Sequence, residues 1–180
     1  MTDYILTTDR LRLRHWKDSD IEPFAAMNMD KDVMRFFPKT LSYSETLDFI
    51  DRIKLHFEKH NFGLFVVEEK STEEFIGFTG FTIPAFDSYF TPCVEIGWRF
   101  RKEFWKRGLA AEAATACLNY GFDILNFDKI VSFTSVLNID SEKVMKRIGM
   151  HLQGYFDHPK IEKQNPLCKH VLYEIKRPNN

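Results

Sequence analysis

The fold can be deduced outward from residues 95–113, which read EIGWRFRKEFWKRGLAAEA. Residues 93–100 are rich in Val, Ile, Trp and Phe, which predicts a strand. Beyond Gly108, apolar or small side chains recur at helical spacing and predict the longest helix, ending near Asn126. These side chains are Leu109, Ala113, Ala116, Cys117, Tyr120 and Ile124. A strand and a helix are therefore joined by a short turn of basic and small residues.

This turn has the composition of a phosphate-binding loop. It reads Lys106, Arg107, Gly108, Leu109, Ala110 and Ala111. Small residues let backbone N–H groups approach a phosphate, and the helix N-terminus adds a favourable dipole. Lys106 and Arg107 would add positive charge. The patterns GxxxxGK and GxGxxG are absent, so the segment alone fits an ordinary turn with solvated basic residues equally well.

The flanking sequence predicts the remaining elements from its hydrophobic periodicity. Towards the N-terminus these are a strand at 11–14, helices at 18–29 and 42–59, and strands at 64–68 and 75–83. Towards the C-terminus they are a strand at 129–136, a helix at 141–148, and strands at 152–156 and 171–175. The second helix begins with a capping-box pattern, Ser42 and Glu45. The order β-α-α-β-β-β-α-β-α-β-β is that of an α/β fold with a central antiparallel meander.

Composition and length favour a single globular domain over all 180 residues, because 44% are hydrophobic and 28% charged. No repeat or linker marks a second domain. The net charge of −1, with both signs interspersed, argues against a nucleic-acid-binding surface.

The sequence also predicts a cytoplasmic protein. Its longest uncharged run, 75–86, is far shorter than the roughly 20 apolar residues of a membrane span. Residues 1–14 carry several charges and lack the apolar stretch of a secretory signal. The three cysteines, Cys93, Cys117 and Cys168, have no CxxC spacing, so we expect reduced thiols and neither a disulfide framework nor a zinc site.

Three blocks of the sequence resemble the GNAT superfamily of acetyltransferases. The block 95–113 is similar to its acetyl-CoA pyrophosphate loop, residues 8–14 (TDRLRLR) to a first strand, and Asn138 with Ser141 and 146–150 (KRIGM) to a later helix. The blocks look most like the branch of Rim-type N-terminal acetyltransferases of ribosomal proteins. Gly108 and Ala110 match the family pattern, whereas Trp105 stands where Gln or Arg is expected, as is familiar in that branch.

The resemblance implies an acetyl-CoA-dependent enzyme that acetylates a primary amine, with no metal. It implies that the strand at 93–100 splays from the strand at 129–136, and that pantetheine lies in the gap and pairs with the backbone near Trp98 and Phe100. A backbone N–H of Trp98 or Arg99 is then the candidate oxyanion donor. We expect Gly97 to mark a bulge there, or else a simple strand irregularity.

Glu95 is the candidate general base. It lies between apolar neighbours, so partial desolvation would raise its pKa towards the useful range. Members of the resembled family differ in using such a Glu, and a Glu that only makes structural hydrogen bonds is the alternative interpretation.

Two residues at the start of the helix at 141–148 have candidate roles. The resemblance implies that the Ser141 hydroxyl hydrogen-bonds the departing thiolate and that Asn138 binds the pantetheine amides. The alternatives are that Ser141 caps the helix and that Asn138 forms a turn.

The remaining candidates are histidines and aromatic residues. His56 and His60 have helical i, i+4 spacing, but no third ligand is evident and we predict no metal site. His158 and His170 lie near the closing strands, where an acceptor could enter or where they are simply a turn and a surface His. Residues 36–38 (FFP) would line the acceptor pocket or belong to the core. The identity of the acceptor and homodimer formation are left open.

Overall fold

The computed structural model of the protein describes residues 4–178, so residues 1–3 of the N-terminal stretch considered above lie outside it. Its strands are β1 (Tyr4–Thr7), β2 (Leu11–Arg14), β3 (Leu64–Glu69), β4 (Phe75–Thr82), β5 (Glu95–Phe100), β6 (Lys129–Ser135), β7 (His151–Asp157) and β8 (Lys169–Lys176). Its helices are α1 (Ile21–Met29), α2 (Tyr43–His60), α3 (Leu109–Asp123) and α4 (Ile139–Arg147). No helix within residues 4–178 is long and apolar enough to cross a membrane.

The predicted α/β fold is confirmed, with one strand more than the sequence indicated. The eight strands form one sheet in the order β1-β2-β3-β4-β5-β6-β8-β7. The meander β3-β4-β5 is antiparallel, as expected. The additional strand, β1, forms a hairpin with β2 at the edge of the sheet. It has four residues, so its pattern is too short to establish a strand without its partner.

The two faces of the sheet are covered by different helices. Alternate residues of a strand point to opposite faces. In β3, Phe65 and Val67 therefore join a core with α3 and α4, whereas Leu64 and Val66 pack against α1 and α2. The same alternation in β5 places Ile96 in the α3 core and its odd-numbered neighbours on the α1/α2 face.

The ends of the helices show which local signals were reliable. The predicted capping box is confirmed: Ser42 accepts from the backbone of Glu45, and the Glu45 carboxylate accepts from the backbone of Ser42. Helix α4 begins at Ile139, two residues earlier than predicted, because its N-cap is Asn138. Helix α3 begins after Gly108 but ends at Asp123, short of Asn126.

Candidate active site

Strands β5 and β6 are parallel but touch only at their beginning. Glu95 and Val131 are their only recorded pair within residues 4–178, and the Val131 N–H donates to the Val94 carbonyl at 2.9 Å. Backbone groups of alternate residues point to the same side of a strand. The backbone carbonyl of Val94 points towards β6. The backbone groups of Trp98, four residues on, therefore point into the gap beyond this contact, whereas those of Arg99 point towards β4. Of the two predicted oxyanion donors, the Trp98 N–H has the appropriate direction.

Phe100 lies at the wide end of the same gap. Its carbonyl accepts from the Trp105 indole N–H at 2.8 Å, and its side chain is buried in the α3 core. Trp105, which departs from the family pattern, therefore fixes the end of β5 instead of presenting a polar side chain to a phosphate.

Glu95 lies where the two strands separate. Its Oε2 accepts from the Thr82 hydroxyl at 3.2 Å. Desolvation raises the pKa of Glu95 to about 8, and the Thr82 hydrogen bond opposes this by favouring the carboxylate. A carboxyl group with this pKa is deprotonated in part at neutral pH and can accept a proton from an amine.

The turn before α3 is built around Gly108. This residue has φ 77°, in the left-handed region, and no side chain caps the helix. The first N–H groups of α3 are therefore available to an anion. A Cβ placed on Gly108 would lie 3.7 Å from Arg10 Nη2 and 3.8 Å from Arg147 Nη1, so two guanidinium groups face the same position.

The basic residues predicted for this turn are placed differently from one another. The Arg107 guanidinium forms an ion pair with the mostly buried carboxylate of Glu69, and its backbone carbonyl accepts from Arg10 Nη1 at 3.0 Å. Lys106 is exposed in the left-handed region with φ 59°. The side-chain charge nearest Gly108 thus comes from Arg10 and Arg147. Arg10 and Arg147 lie in two of the sequence blocks that resemble the GNAT superfamily, but no local sequence pattern indicated that they would lie beside Gly108.

Glu112 connects the first turn of α3 to the β1–β2 hairpin. It accepts from the Thr8 hydroxyl at 2.5 Å and from the Arg10 backbone and side chain at 3.0 and 2.7 Å. These contacts border an open groove of about 500 Å³. The groove is lined by Thr8, Asp9, Arg10, Gly108, Ala111, Glu112, Thr115, Ala116, Asn119 and Arg147. Leu109 points into the core, and Ala110 is half-buried, so small or inward side chains leave the turn accessible.

At the start of α4, Asn138 and Ser141 have distinct roles. Asn138 Oδ1 accepts from the Ser141 backbone N–H at 3.3 Å, and Asn138 Nδ2 donates to the Thr134 hydroxyl at 3.1 Å. Asn138, and not Ser141, therefore provides the cap, which leaves the Ser141 hydroxyl for another partner. An amide has two donor hydrogens, so Asn138 keeps one for a ligand.

The expected bulge at Gly97 was wrong. The β4–β5 register is regular from Gly77↔Phe100 to Thr82↔Glu95. Gly97 instead leaves space, because a Cβ there would meet no heavy atom within 4 Å. It lies on the α1/α2 face between Glu95 and Arg99, where an acceptor could approach the thioester from the side opposite α3.

Aromatic rings from the β4–β5 connection, β6 and β7 pack together at the border of this face. Phe86, Phe90, Phe133 and Phe156 pack with centroid distances of 4.8–6.4 Å. His158 and His170 join them at 4.9 Å from each other. Desolvation, followed by the charge of His170, lowers the pKa of His158 to about 4. His170 is buried, so the interpretation as a surface histidine was wrong. The rings of His158 and His170 belong to the aromatic cluster that borders this face.

Of the earlier metal candidates, His56 uses both ring nitrogens in the fold. Its Nδ1 contacts the Phe62 carbonyl at 2.8 Å, and its Nε2 accepts from the Ile83 N–H at 3.2 Å. Within residues 4–178 no group of three or more His, Cys, Asp or Glu residues could hold a metal ion.

Comparison with known proteins places this geometry in context. The sequence profile of the acetyltransferase (GNAT) domain matches residues 10–151. The chain is 33% identical over 147 residues to the uncharacterized protein YkkB of Bacillus subtilis, covering 81% of the chain and 84% of YkkB. It is 32% identical over 153 residues to the uncharacterized N-acetyltransferase YnaD of the same organism, covering 84% and 85%.

Solved structures agree in fold over nearly the full chain. A GNAT-family acetyltransferase from Bacillus anthracis has a TM-score of 0.78 at 28% identity, covering 95% of this chain and 97% of that one. The ribosomal L7/L12 N-acetyltransferase RimL, in complex with coenzyme A, has 0.79 at 15% identity, covering 97% and 98%. A spermidine N-acetyltransferase from Vibrio cholerae has 0.75 at 20% identity, covering 94% and 97%. The latter two likenesses concern the fold alone.

Proposed function

Because the chain belongs to the GNAT acetyltransferase family, we propose that it transfers the acetyl group of acetyl-CoA directly to a primary amine. The acceptor is a protein N-terminal amine or a small-molecule amine. The observation that carries the proposal is the position of Glu95, a carboxyl group with a raised pKa at the point where β5 and β6 separate. The proposal treats residues 1–180 as one catalytic domain, supported by the single sheet of residues 4–178.

The residues around the α3 N-terminus fit acetyl-CoA. Uncapped amides, a glycine in the left-handed region and two nearby guanidinium groups suit a pyrophosphate. We assign the backbone amides of residues 108–111, together with Arg147, to the phosphates; Arg10 lies beside them but is paired with Glu112 at 2.6 Å. Lys106 and Arg107 remain outer candidates, the latter only if it leaves Glu69. The gap beside Trp98 and Phe100, with Asn138 across it, would receive the pantetheine.

When bound, acetyl-CoA supplies a thioester whose carbon–sulfur bond breaks as the amine nitrogen bonds to the acetyl carbon. Glu95 accepts the proton that the amine loses, directly or through one water molecule, and later returns it to solvent. The Trp98 N–H donates a hydrogen bond to the developing oxyanion. The Ser141 hydroxyl, free of the capping role, hydrogen-bonds the sulfur as it becomes a thiolate.

Two features favour an enzyme that turns over acetyl-CoA over a protein that only binds acyl-CoA. A binding protein needs the α3 amides but gains nothing from a desolvated carboxyl group at the point where β5 and β6 separate. Several related proteins also bear the name N-acetyltransferase. The acceptor is not fixed by these likenesses, because the structural neighbours include enzymes for ribosomal proteins and for spermidine.

Replacing Glu95 by Gln tests the proposal. We expect kcat/KM near pH 7 to fall by about 10²-fold or more, since a positioned base typically contributes 10² to 10⁴. The loss should shrink at high pH, where the free amine supplies its own lone pair. Initial rates over a pH series measure this, with acetyl-CoA affinity as the control. A profile that runs parallel to that of the wild type would remove Glu95 as the base.

A further inference from the structure

Arg99 is a buried cation on the acceptor side of the sheet. Its side chain belongs to β5, and the residue is 9% exposed. Three aromatic rings surround the guanidinium, with centroids at 4.2 Å for Phe37, 5.4 Å for Phe78 and 5.8 Å for Phe49. Phe37 is the exposed member of these three, at 39%, so the guanidinium is separated from solvent on that side by one ring.

The guanidinium lacks a counter-ion within the described chain. Its Nη1 donates to Asn28 Oδ1 at 2.5 Å, and Asn28 is itself completely buried. Its Nε is buried with no hydrogen-bond partner in residues 4–178. The ion pairs recorded over the same range include none with Arg99.

Arg14 shows how the same fold treats a guanidinium that serves structure. Arg14 is 5% exposed, comparable to Arg99, yet it meets two carboxylates. Its Nη1 and Nη2 lie 2.7 and 2.9 Å from Asp20, and its Nε lies 3.0 Å from Glu68. The fold neutralises the buried Arg14 with two carboxylates but gives Arg99 only an amide oxygen and aromatic faces. This difference indicates that the Arg99 guanidinium is available to an anionic ligand.

Burying the Arg99 guanidinium without a counter-ion costs free energy, and this cost also indicates a site for an anion. A charge removed from water must be compensated by an opposite charge or by hydrogen bonds. Aromatic faces offer only part of that compensation. Accordingly, desolvation lowers the pKa of Arg99 to about 9. An anion arriving beside the guanidinium would satisfy the orphaned Nε–H.

Arg99 is also in line with the candidate base. Residues i, i+2 and i+4 of a strand share a face, so Glu95, Gly97 and Arg99 do so, and Cα atoms four residues apart are about 13 Å from each other. Between them, Gly97 offers no side chain and open space. A molecule whose amine lies at Glu95 can therefore extend over Gly97 towards the guanidinium.

We propose that Arg99, supported by Asn28, binds a carboxylate carried by the acceptor, so that the preferred substrates are amines with an anionic group at some distance from the nitrogen. This inference rests on the proposed acetyltransferase function. The phosphates of acetyl-CoA are the other source of an anion, but the proposed function assigns them to the amides after Gly108 and to Arg147, at the start of α3.

Acetylation of a homologous series of ω-amino carboxylates, each compared with its carboxamide, tests this. At the optimal chain length the wild type should prefer the carboxylate by about tenfold or more in kcat/KM, as expected for charge-assisted hydrogen bonds. In Arg99→Met this ratio should fall to within about twofold. A ratio near one in the wild type, or an unchanged ratio in Arg99→Met, overturns the proposal.

Stability provides a second, independent result. Arg99→Met removes an uncompensated buried charge, so its melting temperature should equal or exceed that of the wild type. Asn28→Asp brings a carboxylate to the guanidinium from within the chain, at the cost of the hydrogen bond that Asn28 Nδ2 donates to the Thr46 hydroxyl at 3.2 Å; it should abolish the carboxylate preference. If Arg99→Met melts below the wild type and Asn28→Asp keeps the preference, Arg99 is a structural residue and the proposal is wrong.

The failure of this inference can be distinguished from failure of the proposed function. If the wild type acetylates neutral amines as well as anionic ones, only the inference fails. If it acetylates no amine, the function fails, and thermal shifts with the ω-amino carboxylates decide the inference. They should exceed those with the carboxamides in the wild type and not in Arg99→Met. If Arg99→Met instead loses acetyl-CoA affinity, Arg99 belongs to the coenzyme site and the proposal is overturned.

Discussion

Glu95, the proposed base, carries a cost to the stability of the fold that depends on pH. Its pKa is raised from 4.5 to about 8 because its surroundings desolvate the carboxylate. Between these values the folded state binds a proton that the unfolded state has lost. The associated stability is therefore fully present below pH 4.5 and is lost as pH rises through about 8.

Glu95→Gln should reveal this linkage without any substrate. Glutamine does not ionise, so the melting temperature of the variant relative to the wild type should rise as pH increases from about 4.5 to 8. Thermal denaturation in buffers across this range measures the difference. If the difference is constant, Glu95 has an ordinary pKa in the folded protein and its role as a base near neutral pH loses its physical support.

Ser141 and Asn138 form a matched pair in which one residue should affect rate and the other stability. Asn138 caps α4, so Asn138→Ala should reduce the free energy of unfolding by about 1 kcal/mol. Ser141→Ala should leave the melting temperature nearly unchanged and lower kcat. Denaturant titration and single-turnover rates separate the two effects. A wild-type kcat for Ser141→Ala, with chemistry shown to be rate-limiting, would rule out its contact with the departing thiolate.

At the level of elements, the N-terminus of α3 depends on two other parts of the chain. The β1–β2 hairpin contributes Arg10, and the end of α4 contributes Arg147. A phosphate bound there would thus connect both edges of the groove to α3. Arg107 belongs to the turn itself but is paired with Glu69 of β3. We therefore expect Arg147 to contribute more to phosphate binding than Arg107, although Arg107 is the nearer to Gly108 in the sequence.

Acetyl-CoA affinity tests this ranking. Gly108→Glu should abolish binding through charge, whereas Gly108→Gln, of similar size and with the same backbone strain, should weaken it less. Arg147→Ala should weaken binding by about 1–3 kcal/mol, and Arg107→Ala by less. Isothermal titration gives all four values. Normal affinity in folded Gly108→Glu would remove the turn from the binding site, and a larger effect of Arg107 would reverse the ranking.

For the molecule as a whole, local signals predicted most elements, and long-range contacts supplied most of the site. The capping box at Ser42, the helix after Gly108 and the antiparallel meander each depend on neighbouring residues and were predicted correctly. The separation of β5 from β6 came only from the family resemblance. The Arg107–Glu69 pair and the Arg99–Asn28 bond join residues 38 and 71 positions apart, so no sequence window contains either one.

The central claim concerns the whole chain: it transfers acetyl groups to amines. The most direct measurement is mass spectrometry of the products formed by the purified protein from acetyl-CoA and a panel of ribosomal proteins, peptides and small amines. The account predicts an acetyl group on a primary amine nitrogen, formed by the wild type and greatly reduced by Glu95→Gln near pH 7. Tight binding of acetyl-CoA with no acetylated amine anywhere in the panel would contradict it and would indicate an acyl-CoA-binding protein without turnover.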